Sequence, residues 1–172
     1  MKKSTKHHKQ GEEEQELIKF LGNVSLFERL TKIERRNLQQ YIYIKRFKEG
    51  EYIFEQGHPA VVLYIVKEGE LKLCLEKQGK EIELSRVKKY DFIGESAVFI
   101  EDKRHQSAIA ITDSILLAIS RKSIEGFAYR FPRAGVKILY KLGEILSRQL
   151  ADQHNLLEET LLKSAGEQTS NE

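Results

Sequence analysis

FKEGEYIFEQGHPAVVLYIVKEGELKL, Phe47 to Leu73, decides what kind of fold this chain can make. Its apolar residues do not recur at helical spacing. EYIF, VVLYIV and ELKL are short runs rich in β-branched and aromatic side chains, most with alternating faces. Gly50, Gly57 and Gly69 separate them and Gly79 follows, at intervals that suit tight turns. The pattern extends on both sides, from YIYIKRF through ELKLCLE and KEIELSRV to SAIAIT and SILLAIS, ending at Ser120. Short strands joined by turns, with no helices between them, predict a compact antiparallel structure, a β-sandwich or roll, and exclude a parallel α/β sheet.

Helical patterns flank the strands. Residues 1–14 are polar and read as a flexible tail. From Gln15, Leu17, Ile18, Phe20 and Leu21 predict a short helix, and Leu26, Phe27 and Leu30 continue its amphipathic character. Thr31 and Glu34, in TKIE, fit a capping box and place a second helix from Lys32 to about Gln40. After the strands, Ser120 is positioned to cap a helix through SIEGFAYRF, and Pro132 suits the first turn of another. From Arg133 to Lys163 there is no proline, and Leu139, Leu142, Leu146, Leu150, Gln153, Leu157 and Leu161 fall along one helix face. That stripe is longer than a small β-domain needs, so the helix is expected to pair with a twin and give a homodimer. Residues 164–172 are polar and expected to fray. One domain therefore spans 15–163, with helices over 15–40, strands over 41–120 and C-terminal helices over 121–163.

Composition limits the function classes. A chain of 172 residues with 40% hydrophobic content builds one sizeable core and would cramp two. Its 29 basic and 26 acidic residues are scattered, so no basic stripe points to direct nucleic-acid contact. The single cysteine, Cys74, has no disulfide partner and no Cys/His ligand spacing around it, which fits a reducing compartment. The basic start MKKSTKHHKQ runs into GEEEQE rather than an apolar segment, so it is no secretory signal, and no apolar run approaches the roughly 18 residues of a membrane span. A soluble, cytoplasmic protein without membrane contact is expected. A metal enzyme of the cupin type needs several histidines converging on one ion. His7 and His8 lie in the tail, while His58, His105 and His154 are isolated on a turn, a strand and a helix. No Ser/His/Asp or Cys/His arrangement is present, so neither catalysis nor a metal or other cofactor is expected.

The chemistry concentrates in FIGESAVFIEDKRHQSA, Phe92–Ala108. Gly94, Glu95, Ser96 and Ala97 lie between two predicted strands and suit a short helical turn whose N–H groups face an anion. Arg104, on the following strand, adds a planar and permanently charged fork matched to a phosphate. A carboxylate at Glu95 would repel that phosphate on contact, so it serves best as an acceptor for nearby sugar hydroxyls. Phosphate and sugar together point to a nucleotide.

This order of helices, strands, Gly-Glu turn, arginine and long final helix resembles the cyclic-nucleotide-binding domain family, which includes bacterial catabolite activators, kinase regulatory subunits and gated channels. The resemblance covers about Leu17 to Leu161 and rests on the phased glycines of Phe47–Leu73 and on YDFIGESAVF, which is similar to the family's phosphate-binding cassette. It implies an α+β fold, an antiparallel, jelly-roll-like β-roll flanked by N-terminal helices and a long C-terminal helix. It implies that Glu95 accepts from the ribose 2′-hydroxyl, that the backbone of Gly94 and Ser96 approaches ribose and phosphate, and that Arg104 pairs with the cyclic phosphate. Leu73, Leu84 and Val87 match strand positions that face base and sugar, and Gln153 or His154, in the polar interruption ADQHN, is placed to reach the base. The ligand implied is cyclic AMP or cyclic GMP. The chain departs from the family at His105 and Gln106, where small residues are usual; His105 is expected to narrow the phosphate pocket or to donate from its ring. Ser107 restores a small hydroxyl residue. No helix-turn-helix follows the long helix within this sequence, so direct DNA binding is not expected, and a downstream protein would read the signal. The expected function is a regulatory sensor that couples ligand binding to movement of the C-terminal helix; the alternative is a ligand-free, dimeric interaction scaffold of the same fold.

Overall fold

The computed structural model describes residues 2–169, with side chains described from 11 to 162. The chain divides into two compact units, one ending at Ile138 and one from Leu139 onward. The first holds every strand. It opens with α1 (Lys2–Leu21), a 3-10 turn (Ser25–Phe27) and α2 (Lys32–Leu38), followed by a second 3-10 turn (Gln39–Tyr41). Ten strands follow: β1 (Tyr43–Phe47), β2 (Tyr52–Phe54), β3 (Pro59–Ala60), β4 (Val62–Glu68), β5 (Leu71–Lys77), β6 (Lys80–Val87), β7 (Phe92–Ile93), β8 (Asp102–Lys103), β9 (Ser107–Ala110) and β10 (Ser114–Ser120). Helix α3 (Arg121–Arg130) leads into α4 (Pro132–Thr169).

All strand pairs are antiparallel. One sheet has the order β1-β10-β4-β7, a second β2-β9-β5-β6, and β3 with β8 forms a small two-stranded piece. The α+β roll expected from the sequence is therefore present. The first sheet contributes Val66, Ile93 and Leu116 and the second Ile53, Leu71, Leu73, Val87, Ala108 and Ala110 to one buried cluster. The central strand β9 is buried along its whole length, SAIA, because it has neighbours on both edges and the facing sheet above.

The caps behave as their residue types dictate. Thr31 Oγ1 accepts from Glu34 N at 3.2 Å while Thr31 N donates to Glu34 Oε2 at 2.7 Å, the reciprocal pair that starts α2. Ser120 Oγ accepts from Ser123 N at 3.1 Å at the head of α3. Ile18, Phe20, Leu21, Leu26, Phe27, Leu30 and Leu38 are buried, as the amphipathic pattern requires. The helix starts earlier than expected: α1 is helical from Lys2, inside the stretch read as tail, where no proline interrupts and Glu12–Gln15 favour helix. At the other end α4 passes Lys163 and runs to Thr169; residues 1 and 170–172 of the two expected tails lie outside the described residues.

Within the second unit, Glu144 pairs with Lys141 at 3.6 Å and with Arg148 at 2.7 Å. Leu150, Leu157 and Leu161 of the stripe are exposed, as are Leu156 and Leu162. No helix among the described residues is long and apolar enough to cross a membrane.

Candidate functional site

Gly94 ends β7 in the left-handed region, φ 82° and ψ 31°, which suits glycine and strains other residues. It turns the chain into the 3-10 turn Glu95–Val98, where Ala97 N donates to Gly94 O at 3.1 Å. A Cβ built on Gly94 would fall on Arg104 Nη1 and lie 2.9 Å from Val62 O. The missing side chain is thus the space that the guanidinium fills.

Arg104 follows β8 and is clamped through its backbone. Its N–H donates to His58 O at 2.7 Å and its carbonyl accepts from Gly57 N at 2.8 Å, so the Gly57–His58 turn fixes where the side chain starts. The residue is 7% exposed. Nη2 donates to Val62 O at 2.6 Å, and Cζ stands 4.0 Å from the centroid of the Phe54 ring, a cation–π stack. Nε is buried without a hydrogen-bond partner. Burial pushes the guanidinium pKa down while Tyr64 and Glu95 pull it up, but an arginine so placed stays charged near neutral pH. A buried cation with donors in hand is a site prepared for an anion, because leaving such donors unmade costs about 1–3 kcal/mol or more.

The other expected site residues divide into groups. Glu95 shares the charge environment of Arg104 and follows Gly94 directly, with Ser96 half-buried and Ala97 buried in the same turn. Leu73 and Val87 are buried members of the roll's core cluster. Leu84 is not with them; it is 47% exposed. Leu73 pairs with Ser85 and Cys74 with Glu83, so Leu84 is the extra residue of a bulge, in a strand exposed at every position before Val87. His105 has an 81% exposed side chain, with Nε2 3.0 Å from Asp102 Oδ2, so its ring is held at the surface by its neighbour in sequence. The N–H of Lys103 and then His105 hold the Asp102 carboxyl below its usual range. Ser107 Oγ accepts from Gln56 N at 2.9 Å. Gln153 and His154 belong to the second unit and are exposed, His154 Nε2 lying 3.4 Å from Glu158 Oε1. Cys74 is buried, which raises its thiol pKa first of all. No cluster of His, Cys, Asp or Glu able to hold a metal ion occurs among the described residues.

Four contributors escaped the sequence reading: Phe54, the Val62 carbonyl, Tyr64 and Arg121. Arg121 Nε donates to Ala97 O at 2.7 Å, Nη2 reaches Ile100 O and, at 3.4 Å, Ala60 O, and Nη1 lies 3.2 Å from Glu101 Oε1. It therefore ties the far end of the Gly94 turn and strand β3 to the first residue of α3. A signal for it was present, because a cation in the first turn opposes the helix dipole and has reason to be there only if it serves other carbonyls.

A family model described as the cyclic nucleotide-binding domain matches residues 44–130, from β1 through α3. The chain belongs to that family. It is 28% identical over 138 residues to the cAMP-dependent protein kinase regulatory subunit of Mycosarcoma maydis, covering 79% of this chain and 25% of that protein. It is 30% identical over 106 residues to the cGMP-dependent protein kinase of Toxoplasma gondii, covering 62% of this chain and 10% of that one. Among solved structures, the Catabolite Activator Protein of Thermus thermophilus superposes with a TM-score of 0.71 at 27% identity, covering 78% of this chain and 62% of that one. The chain thus spans a quarter or less of the two kinase-related proteins' length.

Proposed function

We propose that this chain is a regulatory sensor that binds cyclic AMP or cyclic GMP in its β-roll. Arg104 and the backbone N–H groups of Gly94–Ser96 hold the cyclic phosphate, and the Glu95 carboxylate accepts from the ribose 2′-hydroxyl. Leu73 and Val87 back the sugar and base. The observation that carries this reading is the Arg104 guanidinium, 7% exposed, seated in the space left by Gly94 with its Nε unpartnered. The names of the kinase relatives, one cAMP-dependent and one cGMP-dependent, support a purine cyclic nucleotide as the ligand. His105 favours binding over a spoiled site, since its ring is committed to Asp102 in solvent.

The signal is a shift between positions of the C-terminal helix, bounded by the ligand's differential affinity for them. Gln153 or His154 contacts the base in the liganded position, and the exposed leucines of α4 pair with a second copy in a cytoplasmic homodimer read by a downstream protein. Calorimetric titration with each nucleotide tests the binding. Saturable heat is expected, with Arg104→Ala weakening affinity about one to two decades, as a charge-assisted contact worth about 1.5–3 kcal/mol requires. Heat unchanged by that substitution would remove Arg104 from the site, and no heat with either nucleotide would leave the interaction scaffold as the function. Light scattering across concentrations tests the pairing; a monomer throughout would defeat it.

A further inference from the structure

Among the described residues, the guanidinium Nε atoms buried without a hydrogen-bond partner are those of Arg104 and Arg35. The second repeats the construction of the first. Arg35, in α2, lies against Gly22, just past α1: a Cβ on Gly22 would stand 2.6 Å from Arg35 Nη1 and 3.0 Å from its Cζ. A cavity of about 350 Å³ opens beside it, lined by Gln15, Ile18 and Lys19 of α1 and by Lys32 and Arg35 of α2.

Three of these residues are cations and none is an acid. Two acids of these helices, Glu14 and Glu34, are engaged away from the cavity. Glu14 accepts from Gln39 Nε2 at 2.9 Å and lies 3.5 Å from Arg36 Nε. Glu34 accepts from Lys137 Nζ at 2.8 Å and from Thr31 N at 2.7 Å. Three positive charges around one cavity repel one another, and a fork with a buried, unmade donor adds a desolvation cost. An anion removes both penalties at once.

We infer that the cavity between α1 and α2 is a second anion site, taking a small molecule that carries a multiply charged oxyanion such as a phosphoryl group. Arg35 supplies the planar fork, Lys19 and Lys32 supply point charges from opposite helices, and Gln15 supplies an amide donor. The buried Ile18 gives the cavity an apolar floor, and the volume falls within the about 300–1,000 Å³ usual for small-molecule sites. None of these residues belongs to the Gly94–Arg104 region, so the inference stands apart from the cyclic-nucleotide reading. Bound there, the ligand bridges α1 to α2.

The test uses inorganic pyrophosphate and the full chain carrying Arg104→Gln, so that the other arginine cannot report. The arginine side-chain N–H signals are followed by NMR. The Arg35 Nε–H resonance is expected to shift with saturation at a Kd of about 1 mM or tighter, and the saturated protein to melt a few degrees higher. Arg35→Gln removes that signal, so its binding is read from the melting temperature, which pyrophosphate should then no longer raise. Because Arg35 is partly buried, a Lys19→Gln/Lys32→Gln pair on exposed side chains provides a second reading, expected to weaken binding about ten-fold or more. Shifts that never saturate, that chloride at equal ionic strength reproduces, or that persist unchanged in the lysine pair would overturn the assignment.

Discussion

Arg104 and Arg121 stand at the two ends of the segment that begins at Gly94, and they use the same guanidinium in opposite ways. Arg121 is saturated by the chain itself, with the carbonyls of Ala97, Ile100 and Ala60 and the carboxylate of Glu101 around it. Arg104 has the Val62 carbonyl, the face of Phe54 and an unmade Nε. The saturated arginine fixes backbone; the unsaturated one holds charge in reserve. Stability and ligand affinity should therefore separate when the two are perturbed, and the residues between them offer ways to break that separation.

The largest effect is expected at Gly94, where the two roles meet. Gly94→Val forces a β-branched residue into a left-handed backbone and drives its side chain into Arg104 and Val62 O. A loss of about 3 kcal/mol or more of unfolding free energy should accompany loss of nucleotide binding. A variant with wild-type denaturation would mean that the turn relaxes and that Gly94 does not set the position of Arg104. Next is Arg121→Ala, which strands carbonyls of the turn and should lower stability by about 2 kcal/mol. Its nucleotide affinity, measured where the protein remains folded, should fall less than that of Arg104→Ala, whose own stability should stay within about 1 kcal/mol of wild type because it removes an unmade donor as well as a contact. The reverse pattern would sink the division of labour.

How much of this was legible in the sequence follows the range of each interaction. The capping box of Thr31 and Glu34 and the Ser120 cap are local, and both formed as read. The strands were legible because β4, β5 and β10 carry β-branched and aliphatic runs that only a sheet buries. Glu95 and Arg104 were legible as a motif. The stack of Phe54 on Arg104 and the carbonyl contacts of Arg121 depend on strands distant in sequence closing together, which no local pattern announces. Leu84, read as facing base and sugar, is exposed for a reason no local pattern announces: β6 is an edge strand whose residues before Val87 are exposed on both faces. The early start of α1 escaped because a polar helix shows no apolar period.

A smaller effect sharpens the account of Arg104 itself. Phe54→Leu keeps an apolar wall but removes the ring face beneath the guanidinium, and cation–π contacts of this kind are worth about 1 kcal/mol. Nucleotide affinity should drop about five-fold, with Phe54→Tyr restoring it. If leucine binds as tightly as phenylalanine, the ring is packing only and the carbonyl of Val62 alone holds the fork.

The smallest expected effect is a control for the comparison, at an ion pair far in sequence from both arginines. Glu34 lies under Lys137, and despite the opposing influence of burial its carboxyl is held below the usual value by Lys137 and by Thr31. A depressed folded pKa stabilises above the unfolded value near 4.5 and loses that contribution as pH falls through the lower folded value. Glu34→Gln keeps an acceptor for the Thr31 amide but removes the charge, so it should cost about 0.5 kcal/mol at pH 7. Denaturation curves of the two proteins should then converge as the pH is lowered below 4.5. A gap that stays constant with pH would show that the substitution acts through packing at the head of α2. In that case the charge of Glu34 adds nothing to the fold, and the ion pair with Lys137 is a contact that neither the stability role of Arg121 nor the binding role of Arg104 depends on.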